Sequence, residues 1–173
     1  MLPILLAILL APATGDIIDR ILAVVGTQPI TLSEVVAAQQ FQLIAVPAGT
    51  ADPTGYVLDR LIERTLMLGE VDRFQPPEPD PVEITVRTDQ LQARVGSAAA
   101  FDRELAVTGS TREQLRRFIR DSLRIETYSN QRFGSAGDAK ERAAAIASWT
   151  ADLRRRAQIT VLYRPPPRPG SSR

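Results

Sequence analysis

Ser110–Phe133 reads STREQLRRFIRDSLRIETYSNQRF, the longest uninterrupted helical pattern in the chain. Ser110 and Glu113 have capping-box spacing, in which each side chain satisfies the other residue's free backbone N–H. At about 100° per residue, Leu115, Phe118, Ile119, Leu123, Ile125 and Phe133 fall on one broad face. Such a face is wider than a surface stripe, so the reading predicts that other elements cover it from two sides. Arg116, Arg117, Arg120 and Arg124 are expected together on the opposite face, where they could meet an anionic partner. Glu126 falls inside the apolar face. It is expected as a buried, paired charge that fixes the helix against its neighbours, because a buried carboxylate needs a cation or hydrogen-bond donors.

The 173 residues fit one domain with a tail and suffice for a real core. Cys and His are both absent, with 0 of each. Disulfides, thiolate nucleophiles, Cys/His zinc sites and imidazole bases are thereby excluded. Residues 1–109 carry 7 Arg and 14 acids, whereas 110–173 carry 14 Arg or Lys and 6 acids. The plain reading is that the two halves pack together and neutralise each other; a basic surface for anions is the alternative.

Met1–Gly15, MLPILLAILLAPATG, is an apolar run followed by small residues. Ala11-Pro12-Ala13 fits a signal-peptidase site, so residues 1–13 are expected to be a cleaved signal peptide and the mature chain to be exported. No Lys or Arg precedes the run, as an n-region would require. The run is also too short to cross a bilayer, which takes about 20 apolar residues. No stable membrane span is expected.

Ile17–Val25 is strand-like, Gly26-Thr27 signals a turn, and Pro29 confines the second arm to an edge. Thr31 and Glu34 form a capping box that launches a helix to about Ile44, with Phe41 pointing away from its inner stripe. Asp52 and Pro53 start a helix to about Arg73. That helix is expected to bury Val57, Leu58, Leu61, Ile62, Leu66 and Leu68, with Gly69 allowing a close approach by another helix. Tyr56, Met67 and Phe74 fall near its far face. Phe74–Pro81 is extended, with Glu78, Asp80 and Glu83 read as a solvated cluster. Helices follow at Val82–Val95, from Ser97 to Gly109, and from Asp138, where Ile146, Trp149 and Leu153 form an apolar line and Arg154–Arg156 suit the C-terminal dipole. Ile159–Tyr163 is strand-like, and 164–173 is a Pro-rich tail expected to be disordered or polyproline-like.

A lone C-terminal strand would leave its backbone groups unpaired. The expected partner is Ile18–Val25, which would bring the two ends of the mature chain together. The fold class expected is therefore mainly α, with a small β-sheet made by the N-terminal hairpin and the C-terminal strand.

Four strings resemble one family. ILAVVG-x-x-PITLSEV (Ile21–Val35) looks like the hairpin-to-helix start of the SurA-type periplasmic chaperone and foldase domain. Leu58–Leu68 is similar to that family's second helix, Phe101–Phe133 to its following helices, and Trp149–Val161 to its closing helix and strand. The likeness covers most of Asp16–Tyr163, so 14–163 is expected to be a SurA-N-like helical chaperone domain. One departure accompanies it: the interval where the family inserts parvulin-type prolyl isomerase domains is only Gly134–Ser148 here. The resemblance implies the chaperone module alone.

No P-loop, G-x-G-x-x-G, G-x-S-x-G or calcium-loop pattern occurs. No enzyme, metal, cofactor or nucleic-acid partner is expected. Two functions remain. One is an exported, ATP-independent holdase in the periplasm that binds unfolded, aromatic-rich chains such as outer-membrane proteins, with Phe41, Tyr56, Met67 and Phe74 as client contacts. The other is a docking module that dimerises or binds one envelope partner. A homodimer, including one that swaps its C-terminal helix and strand, is compatible with either.

Overall fold

A computed structural model describes residues 19–166. The expected signal peptide, the first residues of the expected strand and the end of the tail lie outside them. The chain forms β1 (Ile21–Val25), β2 (Gln28–Thr31), α1 (Leu32–Gln40), α2 (Pro53–Phe74), α3 (Pro81–Val95), α4 (Ala98–Thr108), α5 (Arg112–Phe133), α6 (Ala139–Arg156) and β3 (Ile159–Val161). It is mainly helical, with a small antiparallel sheet in the order β2-β1-β3.

The ends of the described chain meet as the unpaired-strand argument requires. Ala23, Val24 and Val25 oppose Val161, Thr160 and Ile159. The Gly26 N–H donates to the Gln158 carbonyl at 2.8 Å, and the Leu162 and Tyr163 N–H groups both donate to the Leu22 carbonyl. At the hairpin turn Gly26 takes φ +60, the left-handed region where glycine costs nothing. Pro29 sits on the outer strand, where its missing N–H leaves no ladder bond open.

Each helix start follows from a local side-chain bond. Thr31 and Glu34 make the expected capping box, and Ser33 donates through both its backbone N–H and its hydroxyl to Asp19. Partial burial pushes the Asp19 carboxyl up, but the hydrogen bonds from Ser33 and Thr31 outweigh it and hold the group below its usual range. Asp52 caps α2 by accepting the Gly55 N–H at 2.9 Å. Asp80, read as part of a solvated cluster, instead caps α3.

Several boundaries differ from the sequence reading: β3 ends at Val161 rather than Tyr163, and α3 begins at Pro81 rather than Val82. The capping box of α5 is Thr111 with Gln114, one residue later than Ser110 with Glu113. The Ser110 N–H is already committed: it closes α4 by donating to the Leu105 carbonyl at 2.9 Å, while Gly109 turns left-handed at φ +64. Likewise α1 stops at Gln40, not near Ile44, because Gln42 adopts φ +50 and the Leu43 N–H returns to the Ala38 carbonyl.

The core has three parts. Under the sheet, Leu22, Val25 and Ile30 pack on Val35, Val57 and Ile62. Between α1, α3, α4 and α5 lie Phe41, Leu91, Phe101, Leu115 and Ile119. At the far end of α2, Val71 meets Tyr128, Trp149 and Leu153 of α5 and α6. The opposite net charges of the two halves pair across the fold through Arg124 with Asp72 and Glu78, Arg154 with Asp59, and Arg112 with Asp102. Among the described residues no helix is long and apolar enough to cross a membrane.

Tyr163 pins the C-terminal strand to the start of α2. Its hydroxyl donates to Asp52 Oδ1 at 2.9 Å, and Gly55 makes room chiefly for the Asp52 carboxylate, which a Cβ there would strike before it met the Tyr163 ring at 3.3 Å. Burial, and then the bond to Asp52, raise the Tyr163 phenol above its ordinary value of 10.0. A raised folded value means the contribution is complete below the unfolded value and is lost as pH rises through the folded one. Tyr163→Phe should lower the unfolding free energy by about 1 kcal/mol at neutral pH and abolish that alkaline loss. Urea unfolding with unchanged midpoints at pH 7 would contradict the tie.

Candidate functional site

The four expected client contacts do not form a patch. Phe41, expected to point outward, is only 2% exposed and meets Phe101 edge-on at 5.4 Å. The reason is that α1 is covered twice: α2 and the sheet take one face, and α4 takes the face from which Phe41 projects. Tyr56 is half-buried against the core beneath the sheet, with the Arg60 guanidinium 5.5 Å from its ring centroid. Met67 packs into the cluster around Trp149, and Phe74, 61% exposed, lies beside Tyr128 at 5.4 Å. Tyr56 and Phe74 are separated by about 27 Å along the α2 axis at 1.5 Å per residue, too far for one contiguous surface.

The charged residues also separate. Glu126 is exposed on the rim beside α3, 3.8 Å from Arg87, because the second half of α5 turns Tyr128 and Ser129 inward toward α6 instead. Arg124, expected outside with the other arginines, is buried and surrounded by Asp72 at 2.9 Å, Glu78 at 3.4 Å and Asp121 at 3.8 Å. Arg116, Arg117 and Arg120 do share a face and line a small recess with Ile84. Two of them already have acids: Arg117 approaches Glu113 at 3.7 Å, and Arg120 pairs with Asp121 at 2.9 Å, which holds its guanidinium above its ordinary value.

What the fold does leave open is a groove of about 530 Å³ between the hairpin, α1, α2 and α5. This lies within the roughly 300–1,000 Å³ range of ligand sites. β2 supplies Pro29 and Ile30, α2 supplies Leu61, Arg64, Leu68 and Gly69, and α5 supplies Leu115 and Phe118. A second opening of about 610 Å³, between α3 and α5, is lined by Leu91, Ile119 and Leu123. The Phe118 side chain stands between the two and borders both. Gly69 was expected to admit a close helix. Instead it is exposed, and a Cβ there would meet nothing within 4 Å.

Arg64 was not singled out from the sequence. It bridges α2 to α5: Nη1 donates to Ser122 Oγ at 3.1 Å and Nη2 to the Phe118 carbonyl at 2.8 Å, with the guanidinium carbon 3.9 Å from the Phe118 ring centroid. Burial pushes the group down to about 10, the charge of Asp121 partly resisting, so it stays protonated at neutral pH. The signal was present in the spacing, since Leu61, Arg64 and Leu68 follow the helical i, i+3, i+7 pattern and put a cation in an apolar stripe. Among the described residues no cluster of three or more acids could hold a metal ion.

Compared with protein-family models and with curated proteins, the chain matches none.

The packing gives a direct check. Phe41→Ala should cost about 3–5 kcal/mol, as for an emptied aromatic core site, and Phe74→Ala about 1 kcal/mol or less. Gly69→Ala should instead stabilise by about 1 kcal/mol, because it removes a glycine from a helix interior without a clash. Chemical denaturation of the three variants measures all of this. Equal losses at Phe41 and Phe74 would contradict the assignment of Phe41 to the core.

Proposed function

We propose that this chain is an exported, ATP-independent holdase of the periplasm, a SurA-like chaperone module that binds unfolded, aromatic-rich proteins such as outer-membrane proteins and does not isomerise prolines. The observation that carries the reading is the open groove between the hairpin, α2 and α5, where Pro29, Ile30, Leu61, Leu68, Leu115 and Phe118 offer apolar contacts between polar and charged side chains. The sequence strings that resemble the SurA-type family add support. So does the α5–α6 connection, a few small residues long, with no room for an inserted isomerase domain.

The energetics suit a holdase. Burying one client aromatic ring of about 200 Å² is worth about 5 kcal/mol. Ordering costs of several kcal/mol reduce this to weak, reversible capture, and release then needs no nucleotide. A docking module is the second reading. It is favoured by the open edge of β3, where Val161 and Leu162 are 50% and 55% exposed.

Light scattering during refolding of an aggregation-prone outer-membrane barrel protein tests the proposal on the chain lacking residues 1–13. The chain should suppress aggregation at a few-fold molar excess. Gly69→Leu, which fills the groove while favouring the helix, should lose most of that effect with unchanged helicity. Equal suppression by both proteins would move the client site elsewhere. No suppression at severalfold excess would sink the holdase and favour docking.

A further inference from the structure

The groove holds one guanidinium with no direct ion pair, on which the Asp121 carboxylate acts only from a distance. Among the described residues, Arg64 has no carboxylate within ion-pair distance, and its two protein bonds go to neutral acceptors, Ser122 Oγ and the Phe118 carbonyl. The other charged groups that border the groove are engaged. Asp72 and Asp121 face Arg124, and Asp121 also holds Arg120. Arg117 reaches Glu113, and Glu34 accepts the Thr31 N–H in the α1 capping box.

A guanidinium has five N–H donors in a planar fork, and here two are used. Stacking on Phe118 fixes the plane of that fork and shields one face from water, which strengthens any pairing along its free edge. Burying a cation against neutral acceptors is costly, and a carboxylate arriving with the ligand would offset that cost in a charge-assisted bond.

We propose that Arg64 is a carboxylate anchor: the groove takes an extended apolar segment of a client that carries one Asp or Glu side chain, and that carboxylate docks on the Arg64 guanidinium. The inference rests on the groove being the client site. It adds a chemical preference that apolar contacts alone would not create, favouring segments with an isolated acid among apolar residues over purely apolar ones.

Fluorescence anisotropy on the chain lacking residues 1–13 tests it with three labelled heptapeptides. The first is apolar with one central Glu and both ends blocked. The second has Gln for Glu. The third is the Gln peptide with a free C-terminal carboxylate. The Glu peptide should bind about tenfold more tightly than the blocked Gln peptide, the size of one charge-assisted hydrogen bond. Its advantage should vanish as pH falls through about 4.3, where the ligand carboxyl takes up a proton.

Two protein variants locate the effect without touching Arg64. Leu68→Glu, one turn along α2 from Arg64, places a competing carboxylate beside the guanidinium and should erase the preference. Leu68→Gln, of the same size, should weaken all three peptides alike, because Leu68 lines the groove, and leave the Glu-to-Gln affinity ratio intact. Equal affinity for the Glu and Gln peptides would overturn the anchor and leave the groove standing. Full recovery by the free C-terminus, without a Glu effect, would overturn the side-chain source in favour of chain ends. An identical Glu-to-Gln affinity ratio in the two Leu68 variants would overturn the assignment to Arg64. If none of the peptides binds, the groove itself is wrong, and the anchor falls with it.

Discussion

The pairing of β1 with β3 is the constraint on which the rest of the fold depends. It joins Ala23 to Val161 across nearly the whole sequence, so the entropy of closing that loop must be met before the pairing contributes anything. What offsets it is the convergence of three bonds on one place. The ladder places Tyr163, Tyr163 fastens to Asp52, and Asp52 starts α2 directly beneath the sheet. The hairpin and α2, two walls of the groove, therefore hold a fixed distance because the last strand ties them together.

The third wall, α5, is placed by unlike interactions along its length. Its first half buries Leu115 and Ile119 against α1, α3 and α4, while its second half turns Tyr128 toward Trp149. Between these halves the helix meets α2 through polar groups. Arg64 crosses from α2 to the Phe118 carbonyl, and Arg124 crosses back toward Asp72. A wholly apolar seam would have closed this junction. These two arginines, only Arg124 of them ion-paired, hold the two helices in register beside the groove.

Elements set by short-range chemistry were legible from the sequence. The capping box at Thr31, the Asp52-Pro53 start of α2, the Asp138 start of α6 and the need of the last strand for a partner all depend on residues a few positions apart, or on backbone bonds that must be made. Face assignments depend on which neighbour arrives, and there the reading failed in particular ways. Phe41 looked exposed because one stripe of α1 seemed enough to bury it, yet α4 covers the other side. Glu126 and Arg124 exchanged expectations because α5 changes the direction of its buried face partway along. Val71, fully buried, was passed over since its cover comes from α6, far away in sequence. Of the site, the apolar members Leu61 and Leu68 were visible as a stripe. That the stripe stays partly open was not, because an unfilled space has no residue to mark it.

Amide hydrogen exchange, with and without an unfolded outer-membrane protein present, tests the account most directly. The groove account predicts added protection in the stretches that wall it, residues 61–72 and 110–121. The Gly26 and Leu162 amides, held in the strand pairing, should exchange slowly and equally in both conditions. Protection gained along the β3 edge or on α3, with the groove walls unchanged, would contradict it.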